Sequence, residues 1–358
     1  MKLTIYSLLV ALSALIRITI ATYAIEQNAN SYGEFYIQVS ATLFLFSILD
    51  GLRAEYYVSK KKIVGSKKTL TIIRVLAFLP TILLVDENFI FCSALVLLFS
   101  FNTGLLANKL AEQSNRKSML KLKICEITIL LCAIALMFSD ISWALLTTVL
   151  ASSLATQAML IFGPIDDIEV ENVNWLKISH FWSLISKSFI KYMDVYIVNF
   201  FQPEIVPVFK YMKSLSNFPN LLSTLLTDYY RNRVALNFKW IISFFSVHAF
   251  SGIAVWILLN TIGNSSLQFK FLSYNNVILL YFLLFGLIGY SRVLFLKFRY
   301  RMLLITPLVY IVVLTLVLMY SDINSYYVHL ISQSSSLFLI IFYGFSSNQS
   351  VSWKKITP

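Results

Sequence analysis

Charge is scarce in this chain: 13% of its 358 residues are Asp, Glu, Lys or Arg, against roughly a quarter in soluble domains. That shortage excludes an ordinary soluble surface and fits a chain solvated mostly by lipid. Cysteine is equally sparse. Cys92, Cys125 and Cys132 all fall in apolar segments, at spacings that offer neither a metal site nor a disulfide framework. The three histidines, His180, His248 and His329, lie in separate apolar stretches without paired carboxylates beside them. No acid–base constellation is therefore legible around them.

What the chain has in quantity is apolar length. Hydrophobic residues make up 58% of it, with 29 Phe and 20 Tyr. A helix crosses about 30 Å of hydrocarbon with about 20 residues, and many runs reach that length. Apolar runs set against charged or turn-rich breaks predict an all-α polytopic membrane protein of about twelve helices. The expected spans are 3–24, 34–57, 69–85, 89–108, 123–139, 142–162, 179–201, 205–229, 240–261, 275–296, 302–320 and 324–346. The run from Leu3 to Tyr23 contains Arg17 and ends without a small-residue cleavage pattern, so it reads as a retained first span rather than a signal peptide.

Basic residues divide unequally between alternate connections. One set holds 20: Lys2, Lys60, Lys61, Lys62, Lys67, Lys68, Lys109, Arg116, Lys117, Lys121, Lys123, Lys177, Arg231, Arg233, Lys239, Lys297, Arg299, Arg301, Lys354 and Lys355. The other set holds only Lys270, with Glu26, Asp86, Glu87, Asp140, Glu204 and Asp322. Lys and Arg are retained on the cytoplasmic side, so both termini and the 163–178 connection are expected there. The net charge of +12 then follows from topology, and nucleic acid is not an expected partner.

The 163–178 connection begins Gly163-Pro164-Ile165-Asp166-Asp167 and has six expected spans on either side. It divides the chain into 1–162 and 179–358. Six spans per half place the halves in the same orientation, as in a parallel repeat. At an offset of 174, Arg17 falls on Lys191, Phe35 on Phe209 and Ser40 on Ser214.

Eight basic residues remain within or beside the spans: Arg17, Arg53, Arg74, Lys187, Lys191, Lys210, Lys213 and Arg292. A charge at the bilayer centre costs at least about 2.5–3.5 kcal/mol, so such residues usually face an interior or a watery cavity. Arg53, Arg74 and Arg292 are close enough to a cytoplasmic end to snorkel, and Arg53 is also a candidate for the cavity. Arg17 lies about 21 Å along its helix from Leu3, and Lys191 about 18 Å from Ser179. Lys187, Lys191 and Asp194 share one helix face at i, i+4 and i+7. Either Lys191 and Asp194 form an internal pair, or a surplus cation lines a cavity. Lys210 and Lys213 either extend that lining or snorkel outward. A positive hydrated cavity suits an anionic head group such as a pyrophosphate.

Two segments carry a family pattern. The first holds Tyr32-Gly33-Glu34-Phe35-Tyr36 and runs to Asp50-Gly51-Leu52-Arg53 and a basic loop. The second holds Tyr192-Met193-Asp194-Val195-Tyr196-Ile197, then Pro203-Glu204-Ile205-Val206, Phe209-Lys210-Tyr211 and Asn217-Phe218-Pro219. Both resemble Wzx-type polysaccharide flippases of the multidrug/oligosaccharidyl-lipid/polysaccharide exporter superfamily, with Val206-Pro207 replacing the expected Gly-Tyr-like start of the eighth span.

The resemblance implies two six-helix lobes around a central cavity in a bacterial inner membrane. It also implies alternating-access transfer of an undecaprenyl-diphosphate-linked oligosaccharide to the outer leaflet, for O-antigen or other surface polysaccharide. Arg17, Lys191 and Asp194 would be cavity residues, Asp194 serving as a proton or sodium site or only as a counterion. No cofactor is expected beyond coupling to an ion gradient or the membrane potential; membrane lipid and a polysaccharide polymerase are expected neighbours. The competing class is a membrane enzyme of polysaccharide assembly, a polymerase or lipid-linked sugar transferase. Such enzymes need catalytic groups in a sizeable outer loop, and the longest here, about 262–274, has neither acid nor His.

Overall fold

A computed structural model of the chain describes residues 2–40, 42–44, 63–64, 116–161, 170–171, 192–211, 213–215, 246, 250, 253–254 and 302–320. The expected spans 69–85, 89–108, 275–296 and 324–346 lie outside the described residues, as do most of the spans 34–57, 179–201, 205–229 and 240–261 and of the 163–178 connection. The described part is helical, apart from a two-residue parallel pairing of β1 (Ile63–Val64) with β2 (Val170–Glu171). That pairing joins the lysine-rich stretch after the second expected span to the acidic central connection.

Helix α1 (Lys2–Gln27) covers the first expected span and extends three residues past it. Asn28 then interrupts the helix without turning the chain into a long loop. Its backbone N–H still donates to the Ala24 carbonyl, while its side-chain Oδ1 accepts from the Ser31 N–H at 3.0 Å. That side-chain acceptor is what an N-cap supplies. A second helix, α2, therefore begins at 29 and runs through 40 and 42–44, earlier than the expected 34. The Tyr32-Gly33-Glu34-Phe35-Tyr36 motif is thus helical, in the first turns after the Asn28 break.

Helices α3 (Arg116–Met137) and α4 (Ile141–Ile161) form an antiparallel hairpin. Asp140 makes the corner: its Oδ1 accepts from the Ser142 N–H at 2.7 Å. Helix α1 runs in the same direction as α3, since Arg17 meets Glu126 and, further along both, Tyr23 meets Phe138. The interior among α1, α2, α3 and α4 is filled by Ile20, Tyr32, Phe35, Leu130 and Leu145.

In the second half, α5 (Asp194–Phe201) ends at Gln202, and a single tight turn, Pro203–Ile205, leads into α6 (206–211 and 213–215). Gln202 lies 174 positions after Asn28, so the break between the paired helices falls at the offset already shared by Phe35 and Phe209. Both phenylalanines are fully buried.

Helix α7 (Met302–Tyr320) coincides with the expected eleventh span. Its Tyr310, Leu314 and Leu318 pack on Val195, Val198, Val206 and Phe209, while Leu308, Val312, Leu316 and Met319 stay uncovered. A helix apolar on both faces suits lipid on the outer one. Among the described residues one segment, Leu8–Gln27, is long and apolar enough to cross a membrane, and Ile141–Thr156 and Leu308–Tyr320 are shorter apolar helices.

Helix α6 belongs to both interiors. Val206 and Phe209 pack with α5 and α7, whereas Tyr211 and Leu215 enter the core of α1 to α4. The crossing with α2 is close at Gly33, where a Cβ would meet Pro207 Cγ at 2.9 Å. Only glycine fits at that approach.

Candidate functional site

Ionisable groups gather at two buried centres in these helices. The first lies wholly within the first half. Arg17, midway along α1, finds its partner on α3. Its guanidinium donates to Glu126 Oε1 at 2.9 Å and to Ser152 Oγ at 3.1 Å, and it also meets the Thr148 carbonyl. Ser13 and Ser152 hydroxyls both donate to the same Oε1 at 3.0 Å. Lys123, three residues before Glu126 on α3, takes Oε2 at 2.5 Å. Both carboxylate oxygens are thereby satisfied by donors from three helices.

The second centre is built on α5, α6 and α7. Asp194 is fully buried, and its Oδ2 accepts from Lys213 Nζ at 2.5 Å and Tyr310 Oη at 2.9 Å. Asp194 Oδ1 has no hydrogen-bond partner. Lys210, one turn before Lys213 on α6, reaches the other way and lies 4.5 Å above the Tyr36 ring of α2. The negative ring face attracts an ammonium. Lys210 and Lys213 therefore stand where a helix of the first half meets helices of the second.

Two polar contacts hold the same seam. Tyr196 Oη donates to the Ile37 carbonyl at 2.6 Å. Thr22 Oγ1 lies 2.7 Å from Tyr211 Oη and 2.8 Å from the Ile18 carbonyl. Because the threonine proton serves Ile18, Tyr211 is the donor in the other bond.

Of the sequence-derived site residues, the structure joins Asp194 and Lys213 at the second centre, sets Lys210 over the Tyr36 ring of α2, and places Arg17 apart, in the first centre. Lys187, Lys191 and Arg53 lie outside the described residues. Among the described residues, Asp194 pairs with Lys213, nineteen positions on. The second-half cations are thus turned inward, where the sequence left snorkelling open for Lys210 and Lys213.

Sequence reasoning missed Glu126 and Tyr310. A signal existed for Glu126: it is a lone acid just inside an expected span, the mirror of the argument applied to the cations. Tyr310 carries no such signal in a chain with 20 tyrosines.

Chemically, the seam carries two ammonium groups, Lys213 on Asp194 and Lys210 over Tyr36, beside tyrosine hydroxyls, groups of a kind that bind anions. Among the described residues no three His, Cys, Asp or Glu side chains gather to hold a metal ion. Comparison with protein families, curated proteins and solved structures finds no match to this chain.

Proposed function

We propose that this protein is a twelve-span inner-membrane flippase, moving a lipid-diphosphate-linked oligosaccharide from the cytoplasmic to the outer leaflet by alternating access. The observation that carries the reading is the position of Lys210 and Lys213, two largely buried cations where the two halves of the chain meet. A cation pair at such a junction suits a passage between the two halves. It serves well where a diphosphate must leave water and pass between lobes.

Further support comes from the sequence. Basic residues fall 20 to one on alternate connections, and the helix–break–helix pattern recurs at a spacing of 174. The uncovered apolar stripe of α7 is the surface expected against lipid tails. Asp194, inside this junction, is the counterion of Lys213.

Deleting the gene and measuring undecaprenyl-linked intermediates on each membrane face tests the proposal. The expected result is repeat units accumulating on the cytoplasmic leaflet with little surface polymer. Unchanged leaflet distribution and normal polymer would overturn it. In the same assay Lys191→Ala should lose surface polymer while the protein is still made.

A further inference from the structure

The offset of 174 that relates the two halves in sequence also relates their contacts. Gly33 lies against Pro207, and Lys210 lies over Tyr36. Each of these contacts joins a position to its own equivalent, because 33 and 207, like 36 and 210, differ by 174. The hydrogen bonds beside them exchange under the same offset. Thr22 meets Tyr211, while Tyr196, the equivalent of Thr22, meets Ile37, the equivalent of Tyr211. Self-paired positions on an axis, with exchanged pairs beside it, are what a two-fold interface between like units produces. In a parallel repeat that axis runs along the membrane normal.

The same pairs share one level of the membrane. Thr22 and Tyr196 each stand six residues before a helix break, at Asn28 and Gln202, and Ile37 and Tyr211 stand nine after it. At a rise of 1.5 Å per residue every one of them is within about 14 Å of a break, less than half of roughly 30 Å of hydrocarbon. The unequal distribution of basic residues puts both breaks on the outer side. One turn further along α2, Ser40 follows Tyr36 and Gly33 at i+4 and i+7, on the face that meets α6. Its hydroxyl is buried without a hydrogen-bond partner, whereas Ser214, its equivalent, donates to the Lys210 carbonyl. An unpaired buried hydroxyl is costly, and water entering an opened seam would remove that cost.

We propose that the α2–α6 crossing is the outer gate of the passage: the halves close on each other symmetrically about Gly33–Pro207 and Tyr36–Lys210, and part there by rocking as rigid bodies. This rests on the flippase reading and identifies the part of the seam that moves. Opening separates equivalent elements of two like lobes and hydrates Ser40.

Two experiments on the full-length chain, with Cys92, Cys125 and Cys132 replaced by serine, test the gate. Asn30 and Glu204 are equivalent, exposed positions beside the two breaks. Spin labels on Asn30→Cys and Glu204→Cys, in nanodiscs with and without undecaprenyl diphosphate, should report two separate distances. Ser40→Ala should move the population several-fold towards the shorter one, because the closed state then leaves no hydroxyl bare. In cells, Gly33→Cys with Pro207→Cys should lose surface polymer on oxidation and regain it on reduction.

A permanent seam gives one distance under every condition, and that result overturns the proposal whether or not the cysteine pair at 33 and 207 folds. Surface polymer unchanged by a completed cross-link overturns it as well. No shift from Ser40→Ala, or a shift to the longer distance, overturns the opening of the seam to water. If deleting the gene leaves surface polymer normal, the flippase reading falls, and the distances alone decide whether the gate exists.

Discussion

Glu126 and Asp194 are the two carboxylates buried among the described residues, and each is joined to a cation on another helix. Around Glu126, two serine hydroxyls, a guanidinium and an ammonium leave neither oxygen bare, and every partner comes from the first half. Around Asp194, an ammonium and a phenol crowd one oxygen beside the junction of the halves. A buried ion pair contributes little net stability, but breaking one by removing a single partner costs heavily. The first centre reads as a fixture of the α1–α3–α4 unit. The second has the partial satisfaction that a working site tolerates.

Glu126→Ala should break the comparison open with the largest effect. It leaves Arg17 and Lys123 without their carboxylate, and the expected loss is about 3–5 kcal/mol, tempered by their partial exposure. Folded, monodisperse protein recovered from detergent would fall sharply. Asp194→Asn removes the carboxylate of a single cation and should cost less. A greater loss from Asp194→Asn would reverse the assignment of the two centres. Arg17→Ala belongs with Glu126→Ala: it should reduce folded protein before it reduces transport.

Gly33 sharpens the seam between α2 and α6. Gly33→Ala places a methyl group 2.9 Å from Pro207 Cγ, and overpacking of this kind costs about 1–3 kcal/mol. Pro207→Ala in the same chain should return part of that loss, measured as a coupling energy in a double-mutant cycle on thermal unfolding. Independent, additive losses would mean the two helices separate at this point.

How much of this was legible follows from the range of the interactions. The limits of α7 were, since Met302–Tyr320 is one apolar run between Arg301 and Asp322. The α3–α4 corner was too, because a lone Asp140 between apolar runs supplies the cap that α4 needs. The start of α2 was not. Asn28 reads equally as turn or cap, and only its bond to Ser31 decides. Arg17 stood out as a charge out of place, but its partner lies 109 positions away, and nothing local couples them. The Gly33 and Pro207 motifs were each visible, yet their meeting belongs to packing between halves. Periodicity and capping are written locally; the pairing of buried charges depends on which helices become neighbours.

The smallest expected effect is also the most selective probe of the seam. Tyr211 donates to Thr22, whose own proton stays with the Ile18 carbonyl, so Tyr211→Phe removes one hydrogen bond without leaving the threonine unsatisfied. A neutral bond of this kind contributes about 0.5–1.5 kcal/mol. Leu215 and the ring of residue 211 would still fill the first-half core. The loss of the Thr22 bond should therefore shift thermal stability by about that amount. A loss as large as that of Glu126→Ala would mean that this one polar contact, and not apolar packing, keeps α6 against α1. The junction would then be held by polar contacts alone, and the contrast between a fully bonded centre and a partly bonded one would no longer explain the molecule.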